Sequence, residues 1–375
     1  MAGIYIHIPF CKKACFYCDF HFSVSLALQD ELVAAIIHEI EIRRDFVHGE
    51  VIESIYFGGG TPSVLRINQV KAILEAVYQN FKVVDHTEIT FECNPDDLSI
   101  AFLEELYTCG INRLSIGIQS FDDDHLKWMN RSHTNNQSRQ CIADASQVGF
   151  KDITIDLIYG IPQMDTATWR KTVEKALQLP VNHLSAYSLT MEENTPYHKL
   201  VAQKKYQKPN DDLASEHYAI LEECTQAAGW EHYEVSNFCK TGNYSRHNTS
   251  YWQNKVYLGV GPSAHSFDKK ARYWNVSNNK QYLEKIRAKE DTYEKEILTP
   301  ADQLNEYLLT GLRTKWGVDL DTLKNDYGYD ILASFAEELQ QWSNQGWINR
   351  TGDSLSLTPE GLLFADYIAS ELFIA

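Results

Sequence analysis

Long hydrophobic runs are the first thing missing from this sequence of 375 residues. No stretch of 18 or more apolar residues occurs, so an integral membrane protein is not expected. The first residues also lack the basic flank and apolar core of an export signal, and a cytoplasmic protein is expected. Basic residues are scarce, 34 against 51 acidic, for a formal charge of −17. A chain of that sign repels phosphate backbones, which excludes nucleic acid as a general partner. Cysteine is thin over most of the length. Cys93, Cys109, Cys141, Cys224 and Cys239 stand singly, offer no disulfide framework and read as reduced thiols. There is no internal repeat and no low-complexity tract. What is present is 44% hydrophobic and 12% aromatic, enough for a sizeable core. The length calls for one large domain and a smaller one.

Six short apolar runs alternate with helical patterns through the first half: 4–8, 54–57, 88–92, 113–118, 152–158 and 183–189. Leu28, Leu32, Ile36 and Ile40 share one helical face, and Val70, Leu74 and Val77 another. Gly110 and Gly149 follow helical segments, at the place of a left-handed C-terminal cap. Six consecutive βα units predict a parallel sheet with helices outside it, an open sheet or a partial barrel. After about residue 190 the rhythm breaks. A long helix is predicted over 211–228, then a Gly-, Asn- and aromatic-rich stretch holding RHNTSYW (246–252) and YLGVGPSAHS (257–266). It is too long for an idle loop. From residue 299 a separate module reads as helices 301–314, 319–327 and 330–344, a hairpin at 351–353 and a helix 359–372. That order is winged-helix-like, but residues 300–375 hold twelve acidic side chains against four basic. A DNA-reading wing should be basic, so the module is expected to pack or to cover. The predicted domains are thus 1–298, with an extension over about 190–298, and 299–375.

Three cysteines do cluster. Cys11, Cys15 and Cys18 form C-x3-C-x2-C among Lys12, Lys13 and Asp19, a polar loop in which three buried thiols would be out of place. Structural zinc wants four ligands, commonly two separated pairs, and no second pair exists; His7 or His21 could complete a tetrahedron and keeps that alternative open. An iron–sulfur cubane fits better, because three thiolates leave one iron free to bind something else. FGGGTP (57–62) ends one predicted strand and precedes a helix, where backbone N–H groups can face a polar ligand. Glu92, Gln119 and Asp156 fall at or near the carboxyl ends of strands, where α/β proteins build their sites. Glu92 and Asp156 interrupt apolar strands, where an unpaired charge is costly, so ligand contact is expected of both. Asp96 in NPDD reads as a helix cap.

YIHIPFCKKACFYC resembles the opening of the radical S-adenosylmethionine proteins, in particular the oxygen-independent coproporphyrinogen III oxidase group. The resemblance spans nearly the whole chain. It implies a partial (β/α)6 barrel, a [4Fe–4S] cluster on Cys11, Cys15 and Cys18, and S-adenosylmethionine chelated by the open iron and cleaved to a 5′-deoxyadenosyl radical. Carried over by position, it assigns Tyr5, Gly59, Gly60, Thr61 and Glu92 to that cofactor. Tyr17, Gln119, Arg131, Asp156 and Thr190 fall to a second cofactor pocket.

H-N-x-x-Y (247–251) is similar to the signature of the HemW-type heme chaperones within this group. It makes His247 the expected donor to heme iron, with His265 and His7 behind it. The oxidases carry a fourth cysteine two residues after the third, where this chain has Phe20, and a long extension before the first strand, where this chain has four residues before Tyr5. Both departures weaken the oxidase reading. The resemblance therefore implies a heme chaperone with heme or porphyrin as cargo. Its partners would be an electron donor for the cluster and heme-accepting proteins, membrane respiratory enzymes among them. Coproporphyrinogen decarboxylation and another radical reaction such as methyl transfer are the alternatives, and enzyme activity itself stays open.

Overall fold

The computed structural model describes residues 1–374. The six predicted strands form β1 (Ala2–Ile8), β2 (Ile52–Gly59), β3 (Val83–Cys93), β4 (Arg113–Gln119), β5 (Asp152–Tyr159) and β6 (His183–Ser188), parallel and in sequence order. Their crossover helices include Gln29–Ile42, Ile67–Asn80, Ile100–Thr108, Asn135–Val148 and Thr166–Gln178. Leu32, Ile36, Ile40, Val70, Leu74 and Val77 are buried against the sheet as their spacing requires. Gly149 takes the left-handed cap, and Gly110 the same conformation one residue past the cap of its helix.

The strands do not read as the unbroken apolar runs usual in parallel sheets. Ile55 and Phe57, Ile89 and Phe91, Leu114 and Ile116, and Ile153 and Ile155 are fully or almost fully buried in the main core with the helices. The alternate positions are polar or aromatic and align across the sheet. Tyr5 is opposite Tyr56, Tyr56 opposite Thr90, Glu92 opposite Ser115, Ser115 opposite Thr154, and Asp156 opposite Ser185. With a side-chain period of two, one face packs on helices and the other lines the concave interior.

The stretch after residue 190 extends the same sheet rather than leaving it. A hairpin of β7 (Trp230–Glu234) and β8 (Asn237–Lys240) pairs antiparallel with β6. On the other side β9 (Tyr257–Val260) pairs parallel with β1 and is followed by β10 (His265–Phe267), β11 (Ala271–Asn275) and β12 (Tyr293–Ile297). YLGV was hidden from a strand reading by its glycine. Gly259 is needed because a Cβ there would meet the His265 carbonyl oxygen at 2.0 Å. Glu39, fully buried, holds this flank to the barrel. It accepts from Arg43 at 3.1 Å, Gly261 N at 2.8 Å, Asn275 at 2.8 Å and Tyr282 at 2.7 Å. A buried carboxylate with that many donors is satisfied. RHNTSYW, expected in irregular chain, is the helix Arg246–Trp252, capped by Ser245.

A second core, Leu304 to Leu372, organises the C-terminal module. It has the predicted helices and wing, with β13 (Val318–Asp319), β14 (Ile348–Thr351) and β15 (Ser354–Leu357) in one small sheet. Two predicted helices are each broken in two, at Phe335 and at Leu363–Phe364; both phenylalanines have non-helical backbone. The module touches both ends of the large sheet. Arg272 of β11 pairs with Glu306 at 2.9 Å. Beyond β7, Val235 N donates to Arg313 O at 3.1 Å and Lys315 N to Tyr233 O at 3.0 Å.

Candidate active site

The three clustered cysteines lie on the loop that leaves β1, and every sulfur faces a donor. Thr61 Oγ1 donates to Cys11 Sγ at 3.2 Å, Arg131 Nη1 to Cys15 Sγ at 3.3 Å, and the Phe20 N–H to Cys18. Hydrogen bonds aimed at sulfur are the outer shell a thiolate-held cluster needs. Burial pushes Cys11 up to about 11 and Cys18 to about 12, so a bound cation is what would hold them as thiolates. Among the described residues no three His, Cys, Asp or Glu side chains stand close enough for a single metal ion. All eight cysteines are free.

The glycine loop packs against this one. Gly59 has φ of 104°, and a Cβ on it would meet the His7 ring at 2.6 Å; one on Gly60 would meet Phe10 O at 2.6 Å. No side chain fits where the two loops cross. Asn94 donates to Thr61 Oγ1 at 3.3 Å, and Ser63 to Asp97 at 2.6 Å. Asp97 also pairs with Lys12 of the cysteine loop. Asp96, expected as a helix cap, lies within the short 3-10 turn Pro95–Asp97 and accepts from Ser132 at 2.9 Å; Ser99 caps the following helix instead.

Behind the loops the interior face gathers most of the remaining candidates. Glu92 accepts from Tyr56 at 2.7 Å and from the Gly59 N–H, and burial raises its pKa to about 8. Asp156 accepts from Ser115 at 3.4 Å and from Ser185, and burial raises it to about 6. Arg131 is fixed by Asn94 Oδ1 and Gly117 O, each at 2.7 Å, with its Nε left without a partner. Gln119, at φ of 65°, reaches over Gly117 beside Arg131, and Tyr17 contacts Cys15 near the same guanidinium. Tyr5 stacks on Tyr56 at 6.0 Å between centroids. Thr190 stands apart, exposed in the loop after β6.

His247, expected as the donor to heme iron, is buried with both ring nitrogens engaged: Nδ1 with Ser54 Oγ and Nε2 with Tyr251 Oη, each at 2.8 Å. Its ring stacks on Tyr56 at 5.0 Å, and burial lowers its pKa to about 3. Arg246 N and His247 N donate to Glu88 at 3.0 Å and anchor the helix. In this arrangement the imidazole is part of the wall, with both ring nitrogens already in hydrogen bonds. His7 is also engaged, with His21 O at 2.9 Å and Tyr5 Oη at 3.3 Å.

Several residues escaped sequence reasoning. Tyr56 and Asn94 couple the loops to the interior acids. Asn130, at φ of 62°, donates to Ala14 O at 2.6 Å while Phe16 N donates to Met129 O at 3.1 Å, so the segment before Arg131 props up the cysteine loop. Tyr56 was legible through period-two alternation with Ile55 and Phe57. The asparagine contacts are between distant segments and carry no local signal.

The chain matches the Radical SAM superfamily over residues 5–176 and the HemN C-terminal domain over residues 298–364. It is 33% identical over 374 residues to "Heme chaperone HemW" of Bacillus subtilis (strain 168), covering 98% of each chain. It is 33% identical over 376 residues to "Radical S-adenosyl methionine domain-containing protein 1, mitochondrial" of Bos taurus, covering 98% of this chain and 82% of that one. The solved structure of coproporphyrinogen III oxidase (HemN) from Escherichia coli superposes with a TM-score of 0.85 at 22% identity, over 99% of this chain and 90% of that one. The partial barrel and its cysteine loop are thus those of a radical S-adenosylmethionine protein, a class that implies a [4Fe–4S] cluster and S-adenosylmethionine. Within that class the chain belongs to the HemW family, in the coproporphyrinogen III oxidase-like group. Among the described residues no helix is long and apolar enough to cross a membrane.

Proposed function

We propose that this protein carries heme, taking it up and delivering it to acceptor proteins, with a [4Fe–4S] cluster on Cys11, Cys15 and Cys18. Tyr5, Gly59, Gly60, Thr61 and Glu92 surround S-adenosylmethionine in this reading, and Tyr17, Gln119, Arg131 and Asp156 form the deeper pocket with Thr190 at its rim. When bound, the cluster supplies an electron to the sulfonium. The chain's own part is to hold the cysteine loop rigid through Arg131, Thr61 and Asn130, and to keep Glu92 protonated until a cation arrives beside it. The observation that carries the reading is Phe20. It serves the cluster loop through its backbone N–H on Cys18, while its side chain is 67% exposed and holds no metal. The full-length likeness to curated heme chaperones supports the same reading.

The enzyme reading has one observation in its favour, the half-buried Glu92, Asp156 and Arg131 on the interior face. One anaerobic preparation separates the two. With the cluster reconstituted, heme titration and transfer to an apo-hemoprotein should succeed, and coproporphyrinogen III should yield no protoporphyrinogen. Efficient vinyl-group formation would sink the carrier reading, as would failure to bind heme.

A further inference from the structure

Beside the cysteine loop, on the flank added by β9–β11, lies a cavity of about 480 Å³ that shares only Tyr5 with the two cofactor pockets assigned above. That size falls within the roughly 300–1,000 Å³ typical of cofactor sites. Its walls are aromatic: Tyr5, Phe20, Tyr251, Trp252, Tyr257 and Phe267. Phe20 and His21 come from the cysteine loop, Tyr251 and Trp252 from the helix that carries His247, and Glu306 and Thr310 from the C-terminal module. A phenylalanine left two-thirds in water at such a mouth forgoes part of the roughly 1.5–3 kcal/mol that burying it would contribute. A flat apolar ligand would recover it.

One imidazole in this wall is free. His7, His21 and His247 all use ring nitrogens internally, His21 Nε2 donating to Asn279 Oδ1 at 2.7 Å. His265 is exposed to the cavity, and its ring makes no hydrogen bond among the described residues. At the rim Arg272 offers a guanidinium whose Nε is paired with Glu306, while its side chain stays half exposed. Aromatic walls, one unpartnered imidazole and a rim cation are the complement of a metallated tetrapyrrole: a planar apolar body, an axial metal position and carboxylate arms.

We propose that this cavity is the heme site, with His265 as the axial donor to iron, Phe20 and Trp252 against the macrocycle and Arg272 on a propionate. The inference rests on the carrier reading above and moves the ligand from His247 to His265. Tyr5 becomes the wall shared with the S-adenosylmethionine pocket, since its ring also stacks on Tyr56 beside Glu92.

The test is an anaerobic heme titration of the cluster-loaded full chain, read by the Soret band, alongside S-adenosylmethionine binding. His265→Ala is expected to weaken heme about tenfold or more and shift the Soret band, with added imidazole restoring the wild-type spectrum. Arg272→Gln is expected to weaken heme without moving the band. Cluster absorbance and S-adenosylmethionine affinity should stay unchanged in both. If the wild type binds heme and His265→Ala binds it with the same affinity and spectrum, the site is wrong while the carrier reading stands. If the wild type binds no heme, the carrier reading itself falls and takes the site with it. Loss of S-adenosylmethionine binding in His265→Ala with heme unchanged would assign the cavity to that cofactor and overturn the proposal.

Discussion

Replacing Glu92 by glutamine should make the protein more stable at alkaline pH and poorer at binding its cofactor. Burial raises this carboxyl from its ordinary 4.5 to about 8, the hydrogen bonds from Tyr56 and Gly59 opposing the rise. A carboxyl that binds its proton more tightly when folded contributes stability that is fully present below the unfolded pKa. That contribution is lost as pH rises through the folded one. The interval is worth at most about 5 kcal/mol at 1.36 kcal/mol per pH unit, and water entry and relaxation reduce it to ~3 kcal/mol. Glutamine keeps the shape and never ionises. With an unfolding entropy of about 2.1 cal/mol/K per residue, ~3 kcal/mol in a chain this long moves Tm by about 4 °C. Thermal unfolding of cluster-loaded protein without S-adenosylmethionine, followed from pH 5 to 9, should show wild-type Tm falling above pH 5. Glu92→Gln should fall less, with the gap fully open near pH 9. S-adenosylmethionine, which carries positive charge, should bind the variant about tenfold more weakly, having lost the carboxylate it would ionise. Parallel Tm curves for the two proteins would refute the protonated-carboxyl argument, and equal cofactor affinity would remove Glu92 from the pocket.

Other perturbations probe separate joints of the site. Arg131→Met removes the donor to Cys15 and strands Asn94 Oδ1 and Gly117 O; it should cost roughly 2–3 kcal/mol and lower the cluster's reduction potential, read by anaerobic redox titration. Gly60→Ala sets a methyl 2.6 Å from Phe10 O, so the loops must part and iron content per chain should drop. His247→Ala empties a stacked, doubly hydrogen-bonded position and should cost roughly 3 kcal/mol in chemical denaturation. Below its melting point that variant should still bind heme with an unchanged Soret band; a shifted band would restore His247 as the ligand.

The barrel was readable because its strands alternate. Ile55 and Phe57 bracket Tyr56, and Ile153, Ile155 and Leu157 bracket Thr154 and Asp156, so the polar face of each strand announced an interior that is not simply core. The C-x3-C-x2-C spacing and the three successive glycines were equally plain, because their chemistry is local. The flank was not. β9 is four residues with a glycine in the middle, and it exists as a strand because β1 offers an unpaired edge and Glu39 gathers donors from Gly261, Asn275 and Tyr282. The same non-local packing sets the surroundings of the histidines. A motif put His247 ahead of His265, yet Ser54 and Tyr251, from different parts of the chain, occupy the first ring, while the second makes no hydrogen bond among the described residues.

The C-terminal module holds Arg272 through Glu306 at one end of the twelve-stranded sheet and Tyr233 and Val235 through Lys315 and Arg313 at the other. An arc bridged near both of its ends by one module is closed like a ring with a clasp. The mouth of the barrel and the cavity at its flank therefore share one support, since the module that pairs with Arg272 through Glu306 also backs Tyr233 and Val235.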